Sequence, residues 1–357
     1  MLRIVKFAFV VTALAGGVLA IASTLTLPAG PGPGGLTSNW TAQRLGVTWE
    51  VAGPVNEEDI KWLASTGANG IVQMPFPQQL RTDEPELIHP DYRVWGQRDD
   101  GLRVTSRLAR KYGISTLLKP HLYIVDRSTG FWPGDIRMPS REKWDLWFSN
   151  YRKLILHYAQ LAAEEGMETL CVGAELRQTM SHEKEWRALI ADVRKIYPGI
   201  VMYSVNWDDY EDFTFPDAVD AIGVQAYFPI AYGLRPTRRD MELGWEHALK
   251  SFDKWVQKVN KPIVFTEVGF HSCQGSFARP WEWKFPGMPV DFEIQAEAYD
   301  VTLNVLLKRP WLRGIYIWKW LPGQPNPAIP SDDGFYPQGK PAEDVMRKHF
   351  KNALSSK

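Results

Sequence analysis

The chain has 357 residues, of which 45% are hydrophobic and 23% charged, so it can build a large core and lacks the composition of a disordered protein. Its 41 Lys and Arg residues balance 41 Asp and Glu residues, which leaves no net charge to attract a nucleic acid. Aromatic residues make up 13% of the chain and include 16 Trp, a side chain that fills cores and stacks on sugar rings. We expect one large globular domain and no nucleic-acid partner.

The N-terminus has the pattern of an export signal. Two basic residues, Arg3 and Lys6, precede an apolar stretch that ends in the small-x-small sequence Ala20-Ile21-Ala22. We predict that residues 1–22 are a signal peptide and that the body of the protein is periplasmic or extracellular. The alternative is an uncleaved membrane anchor within residues 1–27, because about 20 apolar residues span a bilayer.

The rest of the chain divides into a linker, a folded body and a short tail. Residues 23–38 are rich in Pro and Gly and are predicted to be a linker. The folded body is predicted over residues 39–352 and the tail over residues 353–357. The two cysteines, Cys171 and Cys273, are too few for a disulfide framework, and we expect them to remain separate thiols.

The folded body alternates short apolar runs with stretches of helical periodicity. Eight runs predict strands, and they begin at Leu45, Gly70, Ile114, Thr169, Ile200, Ala221, Pro262 and Gly314. Helices are predicted after Asn56, from Ser140 to Gly166, from Ser181 to Pro198, from Met241 to Val259 and from Phe292 to Leu307. Apolar strands that alternate with helices indicate a parallel sheet covered on both faces, and eight of them predict a (β/α)8 TIM barrel.

Two of the runs end in a glutamate, Glu175 after the fourth and Glu267 in the seventh. An unpaired carboxylate in an apolar site costs several kcal/mol, so two such endings predict one shared site. Two facing carboxylates can divide their roles, because one stays ionised and attacks while its neighbour is held protonated. Retaining glycosidases use this arrangement with carboxyl groups about 5 to 5.5 Å apart, and a wider separation indicates inversion.

Other strand ends supply candidates for binding a sugar, because a barrel carries its active site at the carboxyl ends of its strands. The candidates are Trp49, Lys119, His121, Asn206, Trp207, Trp318 and Trp320. For His121 a structural role at the rim is the alternative. Trp281 and Trp283, in a long loop after the seventh strand, either reach the cleft or pack at its edge. The pair Asp208 and Asp209 has no third ligand at metal-binding spacing, so we expect no metal and no cofactor.

Three motifs carry a resemblance to a known family: GlyAlaGluLeu at 173–176, PheThrGluValGlyPhe at 265–270 and IleTrpLysTrp at 317–320. They occur in barrel order, and the similarity runs from about residue 39 to residue 350. The chain resembles glycoside hydrolase clan A, specifically the β-mannanase-like barrels of family 113.

The resemblance implies roles for four residues. It implies that Glu175 is the acid/base and Glu267 the nucleophile. It also implies that Tyr227 hydrogen-bonds the nucleophile and that Trp318 forms the floor of the subsite for the cleaved sugar. On composition alone, the alternative is that Glu175 and Glu267 are structural acids paired with Arg177 or Lys119 at the barrel rim. The alternative for Tyr227 is packing in the core or at the rim.

One position departs from the pattern of the clan. The clan usually has Asn immediately before the acid/base, where its amide bonds the sugar 2-OH, and this chain has Ala174. A methyl group cannot donate that hydrogen bond. Asn206 and His121 are candidates to replace it.

The function that these features predict is an exported retaining glycoside hydrolase that cleaves β-linked hexose polysaccharides or oligosaccharides, with mannan as the first substrate to test. Ala174 motivates an alternative, a glycan-binding barrel with impaired catalysis. A third hypothesis is a glycosidase that processes cell-wall material or exopolysaccharide, in keeping with an N-terminal membrane tether. We expect a monomer.

Overall fold

The computed structural model describes residues 43–89, 94–323 and 332–355. The predicted signal or anchor segment and the predicted linker lie outside these residues. None of the helices in the described ranges combines the length and apolar character needed to cross a membrane.

Eight parallel strands close into a barrel, and each begins within two residues of its predicted start. In chain order they are β1 Arg44–Trp49, β2 Gly70–Gln73, β3 Ser115–Leu118, β4 Thr169–Ala174, β5 Ile200–Asn206, β6 Ala221–Gln225, β7 Ile263–Val268 and β8 Leu312–Trp320. Strands that follow each other along the chain pair with each other, and β8 pairs with β1 to close the barrel. The predicted (β/α)8 fold is confirmed.

Seven α-helices lie within the described residues. They are α1 Glu57–Ser65, α2 Asp99–Lys111, α3 Arg141–Glu165, α4 Glu183–Val193, α5 Arg238–Val259, α6 Phe292–Leu306 and α7 Pro341–Ser355. Between β5 and β6 the chain forms two short 3-10 turns, Tyr210–Asp212 and Pro216–Ala218, in place of an α-helix. Helix α7 continues into residues 353–355, which the sequence assigned to a tail.

The helix ends follow the sequence signals where a side chain caps the helix. The Asn56 side chain accepts a hydrogen bond from the Asp59 N–H at 2.9 Å, and Ser140 caps α3 in the same way. Gly166 ends α3 in the left-handed conformation that glycine adopts without strain. The predicted start of α4 at Ser181 is wrong, because that residue ends a 3-10 turn and the α-helix begins at Glu183.

The core has two layers. One cluster contains inward-facing strand residues such as Val72, Leu117 and Met202 and no helix residue, so it fills the barrel. A second cluster joins the outer faces of the strands to the helices and includes Trp147 and Trp245. The helical tryptophans Trp147, Trp245 and Trp255 are buried and Trp144 is partly buried, so all four pack in this outer layer of the core.

Long loops follow β2, β3 and β7 at the carboxyl ends of the strands. Three short strands, Gln78–Gln79, Leu87–Ile88 and Tyr123–Ile124, form a small sheet that joins the loops after β2 and β3. Cys171 and Cys273 are both buried and both free thiols, so no disulfide joins them.

Candidate active site

Glu267 lies in β7 and is almost completely buried, with 4% of its surface exposed. The Tyr227 hydroxyl donates a hydrogen bond of 2.8 Å to Glu267 Oε2. Lys119 Nζ donates to the other oxygen, Oε1, and the Lys119 side chain has no exposed surface. Both carboxylate oxygens are therefore fixed by donors, and one of the donors is a buried cation.

The protonation state of Tyr227 suits this role. Burial and the charge of Glu267 raise the pKa of Tyr227 well above its ordinary value. The phenol therefore keeps its proton at neutral pH and acts as a donor to the carboxylate.

Glu175 follows β4 and is held less tightly. Gln225 Nε2 donates a hydrogen bond of 3.1 Å to Glu175 Oε1. His121 Nε2 lies 3.3 Å from Glu175 Oε2, an ion-pair contact without the alignment of a hydrogen bond. The Glu175 backbone has a φ of 59°, a left-handed conformation that costs a non-glycine residue on the order of 1 to 3 kcal/mol and is found at functional sites.

The electrostatic environment of Glu175 contains opposing contributions. Burial raises the pKa of this carboxyl, but the charges of His121 and Lys119 and the contacts with His121 and Gln225 lower it by more, so the net pKa is lowered. A site without bound substrate therefore favours the ionised form of Glu175.

The structure brings the two glutamates into one site. Gln225, which hydrogen-bonds Glu175, is the Cα partner of Glu267 in the ladder between β6 and β7. The charge of Lys119 acts on Glu175, and its ammonium contacts Glu267. The charges of both glutamates also raise the pKa of Tyr227.

Gln225 is a site residue that the sequence reasoning missed. Its orientation is fixed by Ser204, whose hydroxyl donates to Gln225 Oε1 at 2.5 Å and also lies 2.8 Å from Thr266 Oγ1. The side-chain amide of Gln225 therefore presents its NH₂ group to Glu175. A glutamine at the end of the buried run AlaIleGlyValGln was the available signal.

Two of the residues predicted to bind sugar are used inside the protein instead. Lys119 is fully buried against Glu267, as described above, so it holds a carboxylate rather than lining an open cleft. Asn206 is 7% exposed, and its backbone N–H and side-chain amide both donate to Asp209, at 2.6 and 3.4 Å. Burial raises the pKa of Asp209 to about 6. Across the described ranges, no group of three His, Cys, Asp or Glu side chains could hold a metal ion.

The prediction that Trp49 and Trp320 bind sugar is wrong. Trp49 is 4% exposed and Trp320 is fully buried, and both belong to the layer between the barrel and the helices. Trp320 packs edge-on against Trp62 of α1, with ring centroids 5.1 Å apart. Successive residues of a strand face opposite sides, so Trp49 shares the outer face with Val47, two residues earlier.

The remaining aromatic candidates lie at strand ends beside the loop after β7. Trp318 belongs to the barrel-filling cluster, and the exposed ring of Trp283 packs edge-on against it with ring centroids 6.1 Å apart. The peptide bond between Trp318 and Lys319 is cis. Trp207, at the end of β5, stacks on Trp281 with ring centroids 5.1 Å apart.

These features define a class of protein: a closed (β/α)8 barrel that brings together Glu175 at the end of β4 and Glu267 at the end of β7 places the chain among the glycoside hydrolases built on this fold. Residues 37–340 match the model of Glycoside Hydrolase Family 113, and the chain belongs to that family. The family predicted from the three motifs is confirmed.

Solved structures show the same likeness. The GH113 β-mannanase from Alicyclobacillus acidocaldarius is 29% identical, with a TM-score of 0.78 over 88% of this chain and 100% of that one. A second GH113 β-1,4-mannanase is 25% identical, with a TM-score of 0.75 over 87% of this chain and 99% of the other. Fungal β-1,4-galactanases, at 15% identity and a TM-score of 0.56 over 86% of this chain and 99% of theirs, share the fold. Comparison with curated protein sequences finds no match.

Proposed function

We propose that this protein is a retaining β-mannanase-like glycosidase that uses Glu267 as nucleophile and Glu175 as acid/base. The observation that carries the proposal is that the two glutamates make different contacts. Glu267 is clamped by Lys119 and Tyr227, which favours an ionised, fixed carboxylate. The choice of β-1,4-mannan rests on the two mannanases to which the chain is 29% and 25% identical.

The first step transfers the sugar to the enzyme. Glu267 attacks the anomeric carbon and forms a covalent glycosyl-enzyme, while the bond from that carbon to the leaving oxygen breaks and Glu175 donates its proton to the oxygen. In the second step Glu175 removes a proton from water, and the oxygen of that water displaces Glu267 from the anomeric carbon. Tyr227 and Lys119 keep Glu267 oriented through both steps.

Glu175 must carry a proton to act as an acid, and substrate binding favours that protonated state. In the free site His121 lowers the pKa of Glu175 against the effect of burial. A bound sugar excludes water from both groups, which strengthens the effect of burial and disfavours two separated charges. We infer that Glu175 takes up its proton as the site fills.

Ala174 favours a second candidate function, a glycan-binding barrel with little catalysis. The side chain is a methyl group, 1% exposed, at the position where the clan usually has the amide that bonds the sugar 2-OH. Contacts to that hydroxyl strengthen in the transition state and contribute several kcal/mol. A protein without them keeps its ability to bind glycans and loses rate.

We also propose that the protein is exported. The basic, apolar and small-residue pattern of residues 1–22 supports a signal peptide or anchor and an extracytoplasmic body. A glycosidase that is tethered to a membrane and processes cell-wall material or exopolysaccharide is the corresponding alternative. Fractionation of cells that express the full chain tests this, and recovery of all the protein in the cytoplasm would contradict it.

Incubation of the protein with β-1,4-mannan, β-glucan, chitin and peptidoglycan fragments tests the function directly. We expect cleavage of the mannan, and proton NMR of the first product should show the β-anomer, because two inversions retain configuration. An α-anomer as first product would contradict the double displacement. Binding to one of these glycans without any product would favour the glycan-binding barrel.

A further inference from the structure

A cavity of about 310 Å³, which we call the rim cavity, lies on the same face of the barrel as the two glutamates. Its walls come from the segments that follow β2, β3 and β4, and these segments leave the carboxyl ends of the strands. Gln178 of the cavity wall is three residues after Glu175 in the chain, so their Cα atoms are at most about 11 Å apart. A polymer bound at Glu175 can therefore extend into the rim cavity.

The lining of the rim cavity offers planar polar groups beside an exposed ring. Arg81 forms two hydrogen bonds to the Asp83 carboxylate, at 2.9 and 3.2 Å, and Arg137 Nη2 donates to Gln178 Oε1 at 3.4 Å. Phe131 has 47% of its surface exposed. Guanidinium and carboxylate edges match neighbouring hydroxyl groups, and an aromatic face matches the apolar face of a pyranose ring.

The charges of the rim cavity favour a neutral ligand. Two arginines and three aspartates line it, so the carboxylates outnumber the cations. The guanidinium of Arg81 is already paired with Asp83 and lies 3.9 Å from Asp126. A phosphate, sulfate or uronate would face three carboxylates, and of the two arginines only Arg137 has no carboxylate contact in this lining, whereas the hydroxyls of a neutral sugar can both donate and accept.

The walls of the rim cavity are fixed before any ligand arrives. The backbone N–H of Arg137 donates to the Thr82 carbonyl at 2.9 Å, which joins the loop after β3 to the loop after β2. Asp126 accepts from the backbone N–H and the hydroxyl of Ser128, at 2.9 and 2.6 Å. A preformed site loses little conformational entropy when it binds, so weak individual contacts can still contribute affinity.

We propose that the rim cavity is a remote subsite that binds a neutral hexose unit of the substrate away from the scissile bond, with Phe131 as its stacking platform and Arg137 as a hydrogen-bond donor. The subsite makes turnover depend on the length of the oligosaccharide. This proposal rests on the proposed glycosidase function and deepens it.

The first test compares substrates of increasing length. We expect kcat/KM of the wild type to rise along a series of β-1,4-manno-oligosaccharides, and Phe131→Ala and Arg137→Ala to lose about tenfold on the longest while leaving the shortest unchanged. Leu243→Ala and Arg239→Ala, at exposed positions on α5, are matched controls and should retain the length dependence. Variants with the length dependence of the wild type would overturn the proposal.

The second test measures binding without turnover, in a Glu267→Ala background. Calorimetric titration with the longest oligosaccharide should show a Kd raised about tenfold by Phe131→Ala, and the shortest should bind both proteins equally. Titration with inorganic phosphate and glucuronate should show no binding that depends on Arg137.

The two tests separate the two proposals. A wild type that hydrolyses no glycan removes the proposed function, and the titration then still decides the subsite. Affinity that does not depend on length, or that does not change in Phe131→Ala, overturns the subsite whether or not the protein is an enzyme. Tighter binding of phosphate than of the oligosaccharide at Arg137 would overturn the choice of a neutral sugar.

Discussion

The surroundings of Glu267 and Glu175 differ in kind, although both residues end barrel strands. Glu267 is 4% exposed and receives a donor on each oxygen, from Lys119 and Tyr227. The side chain of Glu175 is 17% exposed and has one hydrogen bond, from Gln225, and an unaligned contact with His121. One carboxylate is held in place with a permanent cation, and the other shares its surroundings with a group that can gain or lose a proton.

The difference indicates which residue attacks and which exchanges a proton. A nucleophile needs to stay ionised and aligned with the carbon it attacks, which fixed donors achieve. An acid/base changes its protonation state twice in each turnover, so a permanent buried cation beside it would hold it in one state. Glu175 instead contacts the imidazole of His121 and the side-chain amide of Gln225.

Replacement of Glu267 should have the largest effect. Glu267→Ala removes the attacking carboxylate, and we expect kcat to fall on the order of 10⁴-fold or more, measured as release of reducing sugar from mannan. Circular dichroism and calorimetric binding of oligosaccharide should show a folded protein that still binds. Turnover at the rate of the wild type would remove the assignment of Glu267 as nucleophile.

The loss of rate caused by replacing Glu175 should depend on the leaving group of the substrate. Glu175→Ala removes general acid catalysis, which contributes about 10² to 10⁴-fold in rate, for a sugar leaving group that needs a proton. An aryl glycoside with an acidic phenol needs no proton, so its glycosylation step should lose much less. Equal losses on the two substrates would show that Glu175 does not protonate the leaving oxygen.

Lys119→Met tests the clamp on Glu267. Breaking a buried pair by removing one partner costs about 3 to 5 kcal/mol of stability, because it leaves an uncompensated buried charge. We also expect kcat on mannan to fall, because the attacking carboxylate loses the donor that holds its Oε1 atom.

Lys340→Met is the matched control for Lys119→Met. Lys340 is also buried, and it contacts Ser272, Asp332 and the carbonyl of Gly334. Urea unfolding should show that both variants lose stability, and only Lys119→Met should lower kcat on mannan at a temperature where both variants are folded. Equal losses of kcat in both variants would mean that the loss reports general loosening of the barrel.

His121→Asn should have the smallest effect and the most specific one. His121 lowers the pKa of Glu175 while burial raises it, so its removal should raise that pKa. Glu175 then keeps its proton to higher pH, and the basic limb of kcat/KM should move upward. The control His247→Asn, on α5, should leave the profile unchanged, and a basic limb that stays in place in His121→Asn would contradict the coupling.

The sequence was sufficient for the barrel and for the two glutamates. Eight apolar runs in alternation with helices predict the fold because strand and helix periodicities are local properties of the chain. Glu175 and Glu267 stand out because an acid that ends a buried run has a high desolvation cost. Tyr227 came from the resemblance, since a tyrosine at a strand end has no equally strong local signal.

Other parts of the site could not be read from the sequence. Trp49 and Trp320 face the helices. The side of the sheet that a residue at the end of a strand occupies depends on how the strand twists and pairs with its neighbours. The ion pair between Lys119 and Glu267 joins residues 148 positions apart, so the sequence offers Lys119 as one possible partner of the glutamates but does not establish which of them it contacts. The rim cavity likewise forms only where three separate loops meet.

The chain by itself determined the number and order of the strands, the placement of two acids at their ends and the family to which it belongs, because each of these depends on short stretches of adjacent residues. The closure of the barrel decided that Gln225 bridges the surroundings of both glutamates, that Lys119 neutralises one of them and that two tryptophans lie outside the cleft. These contacts depend on strand register across the barrel, a property of the packed molecule and not of any one segment.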